Sequence, residues 1–315
     1  MEKVRLGVAG CGASVWMHGP ALARQEHAEV VAWMDPSYDA AAKAAAEYGG
    51  EIYSDYAEML QCDFLDAVIV ASPPWLHVEQ VELAAQAGKH VLCEKPMARH
   101  VSECRQIIHA CEEADVLLMV AFMKRFDPAF LLVKQFIDSG ELGEVYEIGV
   151  DWRWPQYFLA GWRDTIKTWG GLLQDHGSHT VDLSRWWAGD IDSVSASVKV
   201  ALNGREVEDY GHVVCQHQSG CVSIHHHSRL THCRQRENYR IEGSKGTLTL
   251  ECYGQWSATL LYPFTVKLHR CTNGIQSSCT DISPRPQGSL DEQMYAQYRY
   301  SGQLHYFVEC IREQK

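Results

Sequence analysis

Short runs of consecutive apolar residues alternate with longer segments of helical periodicity through the first 120 or so residues. Val4 to Val8, Glu29 to Met34, Phe64 to Ala71, Val91 to Cys93 and Val116 to Ala121 read as buried strands. Between them, Ala21 to Ala23, Ala40 to Tyr48, Trp75 to Ala87 and Val101 to Ala114 read as helices, the third closed by Gly88. Strand and helix alternating in this way predict a parallel, doubly wound sheet with helices on both faces. Past Met123 the pattern changes. A helix over Ala129 to Ser139 leads into a strand from Val145 to Trp152. From Ser193 to Glu251, alternating runs are separated by turn signals such as Asn203-Gly204, Ser219-Gly220 and Gly243 to Gly246. The expectation is an α/β domain over 1–122, then an α+β domain over 123–315 with a large, mostly antiparallel, open-faced sheet.

Composition adds boundaries. The 315 residues are 46% hydrophobic and 22% charged, enough for two domains with cores of their own. A formal net charge of −12 without a long basic run argues against nucleic acid and anionic membranes as partners. No segment approaches the ~18 apolar residues of a spanning helix, and the amino terminus runs straight into a strand. A soluble, cytoplasmic protein is expected. Twelve cysteines are scattered singly, with no C-x-x-C pair, so reduced thiols rather than a disulfide framework are expected.

Chemistry enters at the strand ends. Gly10-Cys11-Gly12-Ala13 follows the first strand and precedes a helix, the setting in which glycines let a backbone approach a pyrophosphate at a helix amino terminus. Val15 stands where a third glycine would complete G-x-G-x-x-G. Asp35 ends the second strand, 23 residues beyond Gly12. A carboxylate there either accepts hydrogen bonds from ribose hydroxyls or caps the next helix. It would repel a 2′-phosphate, and neighbouring Pro36 and Ser37 offer no arginine to hold one, which favours NAD over NADP. Ser72-Pro73 ends the third strand. Glu94-Lys95-Pro96 ends the fourth, at the sheet edge where open α/β folds bind ligands.

A second cluster lies 80 residues after Lys95. In Gly170-Gly171-Leu172-Leu173-Gln174-Asp175-His176-Gly177-Ser178-His179-Thr180-Val181-Asp182, a helix would put Asp175, His179 and Asp182 on one face. That is either an acid/base unit, with Asp182 orienting His179, or a capped helix around a buried, satisfied histidine. The glycines would let the backbone pass close to a ligand.

These residues together resemble the glucose–fructose oxidoreductase/inositol dehydrogenase (Gfo/Idh/MocA) family. The matching pieces include Gly10-Cys11-Gly12, Ser72-Pro73 with His77, Gly88 to Val91 with Glu94-Lys95-Pro96, Arg125 to Pro128, Trp162-Arg163, the Asp175/Gly177/His179/Asp182 motif, and Ile241 to Gly246. The resemblance implies a Rossmann domain and a sheet-based substrate domain, acting as an NAD-dependent dehydrogenase on a sugar, glycoside or cyclitol. It implies catalytic roles for Lys95, Asp175 and His179. Gly10, Gly12, Ala13, Asp35, Ser72, Pro73, His77, Glu94, Lys95, Trp162 and Arg163 would lie at the cofactor. Arg125, Arg153 and Tyr157 are substrate-binding candidates. A homodimer or homotetramer through the second domain's sheet is implied as well. The chain stops after an amphipathic helix, Gln303 to Glu313, where the family continues with a helix that returns to the first domain, so a truncated tail is expected. Alternatives are a redox-neutral or imine/enone-reducing enzyme on the same fold, or a non-catalytic NAD-binding sensor.

Two further features have blander readings. His225-His226-His227, near Cys215, His217, Cys221 and Cys233, lacks zinc-like spacing and reads as polar decoration of an open sheet face, with no metal expected. The aromatic run Trp152 to Phe158 reads equally as a substrate wall or as core.

Overall fold

A computed structural model describes residues 3–12, 15–155, 165–168, 170–202, 204–233, 235–254, 264–272, 275–284 and 292–314. The chain forms two compact units, one of residues 1–123 with 297–315 and one of residues 124–296.

The first unit carries six strands: β1 (Val4–Ala9), β2 (Ala28–Met34), β3 (Glu51–Tyr53), β4 (Ala67–Val70), β5 (His90–Cys93) and β6 (Leu118–Val120). They are all parallel, in the order β3-β2-β1-β4-β5-β6. The order reverses direction between β1 and β4, which opens a crevice at their carboxyl ends. All four residues of β4 are fully buried, because helices cover both faces. Helices α1 (Val15–Leu22) and α2 (Tyr38–Tyr48) share one core with Leu6, Val8, Ile69 and Leu92. Helices α3 (Tyr56–Leu60), α4 (His77–Gln86) and α5 (Val101–Glu113) share another with Val68, Val70, Val91 and Cys93.

The second unit holds helices α6 (Pro128–Asp138) and α7 (Ser178–Ala188), and one eight-stranded sheet. Its strands are β7 (Val145–Pro155), β8 (Ile191–Lys199), β9 (Tyr210–His217), β10 (Val222–Thr231), β11 (Gln235–Gly243), β12 (Gly246–Gly254), β13 (Thr265–Thr272) and β14 (Ile275–Asp281). The order is β14-β13-β12-β11-β7-β10-β9-β8, antiparallel except where β7 and β10 run together. Phe130 and Val133 of α6 and Leu183 and Trp187 of α7 pack on Ile148, Val150, Tyr239, Ile241 and Leu250. Burial alternates along β9 and β10, so one face is covered and the other open.

The fold class is as expected, with two corrections. The last helix, α8 (Glu292–Glu313), was expected in a second domain over 123–315, but from Gln297 onward it belongs to the first unit. Leu304, Phe307 and Val308 are fully buried in the first unit's core, each contributing roughly 1.5–3 kcal/mol. Its apolar stripe announced a buried face without naming the core that would bury it. The other correction concerns the histidine run. Only His226 decorates the open face, while His225 and His227 are fully buried under α7. No disulfide joins any of the twelve cysteines, and no helix among the described residues is long and apolar enough to cross a membrane.

Candidate active site

The first unit supplies a cluster of strand-end loops. Gly10, with φ +100°, follows β1. A Cβ there would meet the Ala71 carbonyl and the Ser72 nitrogen at 2.8 Å, so only glycine lets these two loops approach. At Gly12 a Cβ would meet nothing within 4 Å. Asp35 ties this turn to the second strand. One carboxylate oxygen accepts the Cys11 N–H at 2.9 Å and the other accepts the Ser37 N–H, also at 2.9 Å, just before α2. Each oxygen keeps further acceptor capacity. Burial, with the Asp35 charge second, pushes the Cys11 thiol up to about 12, so it stays protonated and inert. Val15 is buried in the core at the start of α1. Ala13 lies outside the described residues.

Lys95 follows β5, and its peptide bond to Pro96 is cis. Glu94 beside it is a framing residue. Its carboxylate accepts the Lys95 N–H at 3.0 Å and lies 2.8 Å from Nε2 of His18 on α1, a fully buried ring edge-on to Tyr300. Burial alone would raise the Glu94 carboxyl; the His18 hydrogen bond and the His18 and Lys95 charges outweigh it and hold it below its usual value. His18 was missed from sequence, since a lone helical histidine carries no signal until its partner is seen. His77 is fully buried rather than facing the crevice. Its ring nitrogens lie 2.9 Å from the Ser72 carbonyl and 3.1 Å from the Met97 carbonyl, stapling the loop after β4 to the loop after β5. Burial lowers its pKa. The Ser72 hydroxyl donates to Gln80 at 2.5 Å.

The second unit supplies the Asp175–His179 cluster. The predicted helix is present, but it begins with a π-helical turn, Leu173–Gly177, that passes into α7. Asp175 therefore sits on a wide turn, a geometry frequent at functional sites. Glu208 anchors its start, accepting the Leu173 N–H at 2.9 Å where the helix dipole favours an anion. Gly171, with φ +131°, makes room for that carboxylate, since a Cβ would meet it at 2.6 Å. The space expected to admit a ligand there is filled by Glu208.

Asp175 and His179 are each 4% exposed. Arg229 of β10, fully buried, donates to Asp175 at 3.4 Å, and His176 lies 3.6 Å from the same oxygen. His176 stacks on Trp152 at 4.3 Å, and Trp152 stacks on Trp154 at 4.9 Å. These two tryptophans are thus buried support beneath the turn; 156–158 lie outside the described residues. Arg229 was also missed from sequence. Strand alternation from Ser223 through His225 and His227 already put it on the covered face, and a polar residue there was the available signal.

Two expectations change. Asp182 does not orient His179 but is gripped by Arg125, whose two nitrogens donate at 2.6 and 2.8 Å while its guanidinium lies over Trp186. Burial raises the Asp182 carboxyl despite that pairing. Arg125 makes this contact with its side chain still 40% exposed. Arg153 points to the open face of β7, opposite Trp152 and Trp154, where it pairs with Asp151 at 2.8 Å. It lines a groove of 410 Å³ with Tyr210, His212, His226 and Leu230, on the side of the sheet away from Asp175. Tyr157, Trp162 and Arg163 lie outside the described residues.

Residues 4–122 match the oxidoreductase family with an NAD-binding Rossmann fold, and residues 130–249 match the GFO/IDH/MocA C-terminal domain. The chain is 32% identical to inositol 2-dehydrogenase of Rhizobium meliloti over 79% of its length and 76% of that protein. It is 29% identical to scyllo-inositol 2-dehydrogenase (NAD(+)) of Bacillus subtilis over 100% of its length and 88% of that protein. Among solved structures, the WlbA dehydrogenase of Bordetella pertussis, in complex with NADH and UDP-GlcNAcA, superposes with a TM-score of 0.79 at 28% identity, covering 100% of this chain and 89% of that one.

Proposed function

Since the chain belongs to the GFO/IDH/MocA family of NAD(P)-dependent oxidoreductases, we propose that it oxidises a ring secondary hydroxyl of a sugar, glycoside or cyclitol to the ketone, or runs the reverse, with Lys95, Asp175 and His179 as its catalytic residues. The observation that carries the reading is the π-turn into α7, which buries a carboxylate and an imidazole one turn apart and braces the carboxylate with Arg229.

The first unit's loops fit a dinucleotide. Gly10 and Gly12 leave the turn bare of side chains, and Asp35 keeps acceptor capacity for ribose hydroxyls while its charge rejects a 2′-phosphate. Ser72 and Pro73 border the same crevice. NAD held there would supply the hydride acceptor. His179 takes the hydroxyl proton, and the Lys95 ammonium stabilises the developing alkoxide. Asp175 holds the substrate hydroxyl. Glu94 and His18 hold the Lys95 backbone. The inositol dehydrogenases and the nucleotide-sugar-bound WlbA among the relatives support a polyol or sugar substrate. A second copy of the chain is proposed on the open sheet face, where Ile224 and Tyr146 are exposed.

The test is a screen of cyclitols, sugars and glycosides with NAD, followed by NADH absorbance. Lys95→Ala and His179→Ala should each lower turnover about 10²–10⁴-fold. Full activity in both variants would sink the assignment.

A further inference from the structure

The covered face of β10 is polar along its whole length. Ser223, His225, His227 and Arg229 are each fully buried beneath α7. Polar groups so placed must satisfy one another, and four of the five links in the resulting chain are set by side chains alone. The carbonyl of Gly189, the residue that ends α7, lies 2.8 Å from Nδ1 of His217. His217 Nε2 lies 2.9 Å from the Ser223 hydroxyl, which lies 3.0 Å from His225 Nε2. His225 Nδ1 lies 3.1 Å from the Thr180 hydroxyl, and Thr180 lies 3.1 Å from His227 Nε2.

The direction of every hydrogen follows from the Gly189 end. A carbonyl only accepts, so His217 carries its hydrogen on Nδ1. Neutral His217 then accepts at Nε2, and Ser223 donates to it. Ser223 in turn accepts from His225 Nε2–H, leaving His225 Nδ1 as an acceptor. The Thr180 hydroxyl has two acceptors in reach, His225 Nδ1 and the Gly177 carbonyl, both at 3.1 Å. The Gly177 carbonyl, at the N-cap of α7, takes a helix N–H, whereas His225 Nδ1 has only this hydroxyl as a donor among the described residues, so Thr180 donates to His225. Thr180 then accepts from His227 Nε2–H. One order of hydrogens serves all five links, with both inner imidazoles neutral; at its far end His227 Nδ1 is buried without a partner among the described residues. Burial is the leading cause that lowers His225 to about 4 and lowers His227 well below its ordinary value. The charged or titratable groups around this line are Lys124, which pairs with Glu237, His226 on the opposite face of β10, and Cys215 beside Ser223.

We propose that Thr180 is a positioning residue for the catalytic turn, and that the ordered chain His227–Thr180–His225–Ser223–His217 holds it. Thr180 is the neighbour of His179 and lies on the first turn of α7, directly after the π-turn bearing Asp175. With its hydroxyl locked between two strand histidines, that turn has one azimuth over the sheet. An apolar Leu or Val contact would leave it free to slide. The proposal rests on the catalytic reading of His179 and Asp175, and acts through them without touching substrate.

Two measurements test it. In the full chain with ¹⁵N-labelled histidine, imidazole spectra at pH 7.5 should show His217 as the Nδ1–H tautomer and His225 and His227 as Nε2–H tautomers. An Nδ1–H or doubly protonated His225 would overturn the chain. This readout needs no turnover, so it stands apart from the substrate assignment, which fails by itself if the unmutated protein oxidises no polyol or sugar. In an active protein, Thr180→Val should lower kcat at least tenfold with the KM for NAD unchanged, and Thr180→Ser should restore it. An unchanged kcat in Thr180→Val would overturn the positioning role. Should Thr180→Val not fold, Ser223→Ala, which cuts the chain two links away, is read by the same kcat criterion.

Discussion

The two units handle buried polar groups in different ways. In the first, function-bearing groups sit at strand ends, and mostly backbone satisfies them: Asp35 takes two N–H groups, Glu94 takes one, and neutral His77 donates to one of the two carbonyls it faces. In the second, the polar groups lie inside, between a helix and the middle of a sheet, and side chains satisfy one another: Arg229 with Asp175, Arg125 with Asp182, and three histidines with Ser223 and Thr180. Backbone at strand ends is placed by the sheet itself and tolerates side-chain change. A side-chain network survives only while every member is present, because the low-dielectric interior penalises each orphaned group.

The contrast can be broken, beginning where the effect should be largest. Arg229→Leu leaves Asp175 buried without its guanidinium, and breaking a buried pair costs about 3–5 kcal/mol. Urea unfolding should show that loss, and a cost below about 1 kcal/mol would mean the second unit's network is not tightly coupled.

Acid is the next probe. His225 is neutral in the folded state with its pKa lowered from 6.5 to about 4, so between those values the unfolded chain binds more protons. Stability from this group is therefore full above pH 6.5 and declines as pH falls toward 4, by at most roughly 1.4 kcal/mol per pH unit. Glu94 runs on a lower window: its folded pKa lies below 4.5, so its contribution is present above 4.5 and lost as pH falls further. His77 in the first unit shares the upper window, so the readout must be local. Hydrogen exchange at pH 5 should show α7 and β10 loosened relative to pH 7.5, and His225→Phe should flatten that change.

The smallest effect belongs to the first unit. Gly10→Ala forces a Cβ against backbone at a positive φ and should cost about 1–3 kcal/mol while raising the KM for NAD. A neutral outcome in both readouts would mean that the close approach of the two loops is dispensable.

Legibility divides along the same line. The parallel sheet, its helices, the glycine turn, Asp35 and the Glu94-Lys95-Pro96 edge could be read because each is a local pattern: apolar runs, a glycine where φ is positive, an acid at a strand end. The Asp175–His179 spacing was legible as a helix, yet not as a π-turn, since nothing local distinguishes the two until Glu208 and Gly171 meet at its start.

The sequence by itself determined what depends on neighbours along the chain: element type, the crevice-forming order of strand and helix, and which residue types could do acid–base chemistry. Only tertiary structure decided the pairings. Arg125 went to Asp182 across 57 residues, His18 to Glu94 across 76, and α8 to a core begun some 300 residues earlier. The physical reason is that burial makes partners obligatory without specifying them. A histidine or arginine on a covered face must find a hydrogen bond, and the packed sheet, rather than the local sequence, chooses with whom.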